Sequence, residues 1–173
     1  MVVAYIFTTH GWLVIVHGIV LGGLFIAALA ATFAALFSFR QDLLTGEGCV
    51  RRIRTLKLLG GASLVAGWAA VLLGTFVIDP YFHGGNDPPA HVLESFSGTI
   101  RWVTWAMPAK ENLAWMSVLL TSAAVVALFS RPQLLLARGW ARRLVLAFLG
   151  LALLFAGLAG LLGAGLAKVG PIV

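Results

Sequence analysis

Hydrophobic residues gather into four long runs, at about residues 9–38, 58–78, 112–130 and 144–167, with polar stretches between them. An α-helix needs about 20 apolar residues to cross the hydrocarbon core of a bilayer, and each run is near or above that length. Lipid offers backbone amides no partners, so each run must satisfy its own N–H and C=O groups as a helix. The first run holds no charged side chain from Thr8 to Phe39 and no basic residue before Arg40. A cleaved export signal has a basic start and a short apolar core, so this run is expected to remain as a span. The pattern predicts an all-α protein with a single transmembrane domain over residues 1–173. Its form is an integral membrane four-helix antiparallel bundle, and its one sizeable polar connection is 79–111.

That connection opens with Asp79-Pro80-Tyr81-Phe82-His83-Gly84-Gly85-Asn86-Asp87-Pro88-Pro89, where proline and glycine predict a break from helix. His91 to Trp105 then reads as a short amphipathic helix. Val92, Phe96, Ile100 and Val103 fall at helical spacing, with Glu94, Ser95, Ser97 and Arg101 on the other side. Trp102 and Trp105 suit the headgroup level, so this helix is expected to lie on the membrane surface. Met107-Pro108 is expected to end it, with Pro108 in the first turn of the third span.

Composition agrees with lipid as the solvent: 61% of residues are hydrophobic and 10% charged, and the mean hydropathy is +1.00. Soluble domains carry about a quarter charged residues. The net charge of +6 does not point to nucleic acid, because nine of the twelve basic residues occupy two loops. These are Arg40, Arg51, Arg52, Arg54 and Lys57 before the second run, and Arg131, Arg138, Arg142 and Arg143 before the fourth. Basic loops stay cytoplasmic, which in a bacterial cytoplasmic (inner) membrane puts both termini and 79–111 on the outer side. Cys49 stands alone, which excludes an internal disulfide framework and a cysteine metal cage. Small residues recur at Gly18 and Gly22, at Gly60, Gly67 and Gly74, and at Gly150, Gly157, Gly160 and Ala164. Such stripes let helices approach closely in lipid, and they could also accept a flat ring such as a porphyrin or chlorin.

All four histidines fall on the outer side. His10 and His17 share one face of the first span about 10 Å apart, and His83 and His91 lie in the outer connection. A haem b could be held by His17 with His10, His83 or His91 as second ligand, since imidazole is a common axial ligand and a histidine within lipid needs a partner. Met107 and Met116 are alternative sulfur ligands. A Cu or Zn site could use His17, His10, His83 and His91 with the carboxylate of Glu94. The plain alternative has His17 bonded to a neighbouring helix and the others solvated. Four-helix haem carriers usually draw histidines from two spans, and here only the first supplies any. Asp79, Lys110, Glu111 and Asn112 could form a proton inlet or a quinol site, although helix capping and snorkelling also account for them. No phosphate loop, catalytic triad or paired carboxylate motif is present. His17 is the one ionisable side chain expected in mid-bilayer, which argues against an ion pump or a proton-coupled transporter.

The segments Gly67-Trp68-Ala69-Ala70, Gly74-Thr75-Phe76-Val77-Ile78-Asp79-Pro80-Tyr81 and Lys110-Glu111-Asn112-Leu113-Ala114-Trp115 carry a resemblance. So does the closing stretch from Gly160-Leu161-Leu162-Gly163-Ala164 to Lys168-Val169-Gly170-Pro171. They resemble a family of uncharacterised bacterial four-span membrane proteins, over the C-terminal two thirds of the chain. In that family a histidine often follows the Lys-Glu pair, where this chain has Asn112, and the resemblance implies no activity. The expected role is a small accessory subunit of a larger respiratory or photosynthetic electron-transfer complex, without activity of its own and holding one haem b. The alternatives are a purely structural membrane subunit without cofactor and a Cu/Zn-binding membrane protein.

Overall fold

The computed structural model describes residues 9–39, 45–84 and 88–169, which are helical along most of their length. Four helices are long and apolar enough to cross a membrane: α1 (residues 9–37), α2 (Gly46–His83), α4 (Trp102–Ser130) and α6 (Gly139–Val169). Two short helices connect them, α3 (Pro89–Glu94) after α2 and α5 (Pro132–Ala137) before α6. Each long helix packs on its neighbour in sequence, and α6 closes the ring by packing on α1 as well as α4. This is the predicted antiparallel bundle. The connection between α2 and α4 lies at one end, the loop end, and the arginine-rich turns at the other, the basic end.

The helices overrun the apolar runs. Thr45 caps α2 by accepting the Gly48 N–H at 3.2 Å, with Glu47 in the first turn, so α2 starts well before residue 58. At 1.5 Å per residue its 38 residues extend about 57 Å, far more than a bilayer core, so its first turns stand beyond the hydrocarbon. At the loop end α2 runs through Pro80 to His83, and α4 runs through Pro108. The expected breaks at these prolines do not occur. Each proline follows a five-residue wide (π) turn, Gly74–Ile78 before Pro80 and Trp102–Ala106 before Pro108. There the Asp79 and Met107 amides reach back five residues, to Gly74 and Trp102. The altered ladder admits a residue with no N–H, so the chain passes through proline without ending the helix.

The surface helix expected over His91–Trp105 is also shorter. It spans only Pro89–Glu94, because Ser95 and Thr99 bond the Val92, Leu93 and Phe96 carbonyls and compete with the helical ladder. Trp102 belongs instead to α4 and is driven into α6: a β-carbon on Gly165 would lie 2.5 Å from its Cζ3. Ala90, Leu93 and Val103, with Phe82 against them, form a small second core under this cap.

The main core is set by the glycine row on α2. Gly60 faces Val125, Leu128 and Thr32. Gly67 faces Phe25 and Val118, and Gly74 faces His17. A β-carbon on Gly67 would lie 2.8 Å from Phe25 Cε2, and one on Gly74 would lie 2.7 Å from His17 Cε1. The three α1 residues in the notches are spaced unevenly, eight residues from His17 to Phe25 and seven from Phe25 to Thr32. The wide turn Val16–Gly22 lies within the longer interval and takes up the extra residue. Without it, Gly18 rather than His17 would face Gly74.

The other small-residue stripes pack only in part. A β-carbon on Gly150 would meet Phe33 of α1 at 3.6 Å, but one on Gly18, Gly157 or Gly160 would meet nothing within 4 Å, and one on Gly22 only a carbonyl of its own helix. The α6 seam is made by Ala141, Val145, Leu149, Ala152, Ala156 and Ala159, all buried at helical spacing. Buried hydroxyls satisfy themselves: Thr32, Ser63 and Thr121 donate within their own helices, while Ser117 donates across to the Ala152 carbonyl at 2.8 Å. Trp68 and Trp115 meet edge to face at 5.8 Å, and Trp68 Nε1 donates to Ser122 at 3.2 Å, which ties α2 to α4.

Filling the Gly67 notch should therefore overpack the α1–α2–α4 contact. Gly67→Leu is expected to lose about 1–3 kcal/mol in a denaturation series in detergent micelles, while Gly157→Leu, on open surface, should leave the midpoint in place.

Candidate polar site at the loop end

The three wide turns among the described residues, Val16–Gly22, Gly74–Ile78 and Trp102–Ala106, lie toward the loop end, and they border a group of polar side chains. Wide turns of this kind recur at functional sites because they shift helix register locally. The group draws on three of the four long helices. His17 comes from α1, Asp79 and His83 from α2, and Lys110 and Glu111 from α4. The Lys110 stem runs over α6, where a β-carbon on Gly163 would lie 3.6 Å from its Cδ.

The carboxyl groups of Glu111 and Asp79, from α4 and α2, lie near enough for each to feel the other's charge. Like charges brought close in this way favour a proton held on one of the two. Lys110 lies within electrostatic range of Asp79, Glu111 and His17. Its Nζ touches Met107 Sδ at 3.6 Å, within the bundle. His83, one turn after Asp79, sets Nδ1 2.9 Å from Asp79 Oδ1 and 3.3 Å from the Asp79 backbone oxygen. That contact is at ion-pair distance but leaves Oδ1 outside hydrogen-bond alignment, and Oδ1 is buried without a partner in the protein. The His83 and Asp79 side chains are 47% and 34% exposed, so this edge of the group reaches solvent. The opposite edge is His17, whose ring faces the Ala70 carbonyl across the Gly74 notch. Its Nδ1 is buried and unpartnered.

The histidines themselves do not gather. His17 is seated against α2, His83 is held by Asp79, and His91 is exposed on α3, as is Glu94. His10 lies in the first turn of α1, and its side chain is outside the described set. Among the described residues no three of His, Cys, Asp and Glu come together as metal ligands. A haem fits His17 poorly. The ring turns Cε1 onto Gly74 with both nitrogens flanking the contact, and Nδ1 is buried against protein. Met107 is buried beside Lys110, while Met116 is exposed.

Asp79, Lys110 and Glu111 are each partly buried and lie within electrostatic range of one another, a closeness that capping or snorkelling of each alone does not require. The signal for this was in the sequence. Asp79-Pro80-Tyr81 and Lys110-Glu111, quoted above for the resemblance, meet in space, and so do Trp68 and Trp115. No family model matches the chain, and neither a curated protein nor a solved structure matches it. Fold and site together define a multi-pass helical membrane protein with a group of polar side chains between its spans.

The fit of His17 to Gly74 is testable by a double-mutant cycle. Gly74→Ala is expected to destabilise the protein by about 1–2 kcal/mol through the displaced ring. The pair His17→Ala with Gly74→Ala should cost less than the sum of the singles, a coupling of about 1 kcal/mol read from denaturation midpoints.

Proposed function

We propose that the protein is a small accessory subunit of a larger bacterial membrane complex that moves electrons, and that its part there is protonic. It sits in the cytoplasmic membrane with its loop end outward, and the Asp79–Glu111 pair holds a proton beside Lys110. The closeness of Asp79, Lys110 and Glu111 on two spans supports this reading, because ionisable groups inside a membrane bundle are expensive and are kept where they pair for a purpose. The distribution of basic residues supports the orientation. Electron transfer to or from quinones takes up or releases protons near the membrane surface, and a solvent-reached edge at His83 offers such protons a way in. Haem is not part of the proposal, since His17 is committed to the Gly74 notch.

A purely structural role is the second reading, favoured by the same fit of His17 into Gly74. The two diverge on Glu111. On the protonic reading, infrared spectra of the purified protein at neutral pH contain a protonated-carboxyl band that is lost in both Asp79→Asn and Glu111→Gln. Glu111→Gln should also slow turnover of the intact assembly about tenfold without changing its subunits. A missing band, or unchanged turnover, would leave the structural role.

A further inference from the structure

The outward face of α4 carries a polar group that the rest of the bundle leaves unanswered. Trp105, Asn112, Met116, Leu119, Ala123 and Val126 are exposed along it, and Asn112 alone among them ends in an amide. Counted back from Arg131, which ends α4, Asn112 lies about 28 Å along the helix axis, just inside a hydrocarbon core about 30 Å thick. Trp105, suited to the headgroup level, stands about 10 Å further out on the same face. The amide therefore lies below the headgroups.

An asparagine side chain offers N–H donors and a carbonyl acceptor. Among the described residues nothing hydrogen-bonds that of Asn112. Exposed hydroxyls on the same helices are answered locally: Thr104 and Thr55 donate to the carbonyls of Ile100 and Arg51, one turn back, at 3.0 and 3.2 Å. An unanswered amide facing hydrocarbon costs free energy, and asparagine in a membrane helix is commonly answered from another helix. The outward faces of α2 and α6 differ. Leu58, Val65 and Leu72 on the one, and Leu151, Leu154 and Leu158 on the other, suit lipid as they stand.

We propose that this face of α4 is the interface with a second copy of the chain, and that the two Asn112 amides hydrogen-bond across it. The choice of a second copy follows from symmetry. Copies inserted with one orientation are related by a two-fold axis along the membrane normal, so α4 runs parallel to its counterpart and each residue returns at its own depth. An amide is both donor and acceptor, so at that depth it pairs with itself. A different subunit would need a polar group brought there independently. Trp105, Asn112, Leu119 and Val126 follow one another at seven-residue intervals, the spacing of helices that cross at a shallow angle, and one asparagine in such a stripe fixes the register. The polar group at the loop end takes no part in this contact.

The test places single cysteines in the full chain, in a Cys49→Ser background, and oxidises membranes that hold it. Leu119→Cys, two turns from Asn112 on the same face, is expected to give a disulfide-linked dimer, and Leu154→Cys, on the outward face of α6, to stay monomeric. In micelles at a fixed protein-to-detergent ratio, analytical ultracentrifugation should find a wild-type dimer that Asn112→Leu weakens about tenfold and Asn112→Gln largely retains. The circular dichroism spectrum of Asn112→Leu should match that of the wild type, since the amide holds nothing inside the bundle. A monomeric wild type, a dimer equally strong in Asn112→Leu, or cross-linking as ready at Leu154→Cys as at Leu119→Cys would overturn the interface. So would cross-linking of Leu119→Cys to a protein of another mass in place of the dimer, which would give the face to a different subunit.

Discussion

The row of glycines on α2 governs how this bundle assembles. In lipid, one apolar helix gains little from touching another, so association depends on how closely backbones approach and how well side chains fill the gaps. Gly60, Gly67 and Gly74 leave three notches at two-turn intervals, and α1 fills them with Thr32, Phe25 and His17. Phe25 also meets Val118 across the middle notch, so this seam positions α4 as well. The remaining contacts are consistent with it: a Trp68–Trp115 edge contact, a Trp68–Ser122 hydrogen bond and a Ser117–Ala152 bond tie α4 to its neighbours on both sides.

Holding α1, α2 and α4 in this register has a consequence at the loop end. It brings Asp79 near Glu111 and places the imidazole of His17 at the inner edge of the group. The wide turns make this possible. They shift helix register by one residue without breaking the hydrogen-bond ladder, and they let α2 and α4 carry prolines straight into the site. At the basic end the opposite logic applies. There the helix ends are drawn together by bonds from Arg52, Lys57 and Arg142 to carbonyls.

Much of the fold is legible in the amino-acid sequence, because four uninterrupted apolar runs allow few arrangements in lipid. The seven-residue spacing of Gly60, Gly67 and Gly74 marked a packing face. Its occupants were not legible, since no residue pattern announces a wide turn, and without one Gly18 rather than His17 meets Gly74. Pro80 and Pro108 read as helix ends for the same reason. Gly157 and Gly160 read as a seam although the neighbouring alanines do the packing, because glycine alone does not say which face turns inward. Asp79, Lys110 and Glu111 were legible as a candidate proton inlet or quinol site, but their closeness was hidden by distance along the chain. Asp79 and Glu111 are 32 residues apart, and each on its own resembles an ordinary helix-end carboxylate.

Oxidative cross-linking tests the register of α1 against α2 most directly. In a background with Cys49→Ser, His17→Cys paired with Gly74→Cys is expected to form a disulfide readily in membranes, because the two positions face each other across the notch. Gly18→Cys paired with Gly74→Cys should form it slowly or not at all. The reverse order would mean that α1 runs as an uninterrupted α-helix, and both the His17 seat and the polar group built above it would be contradicted.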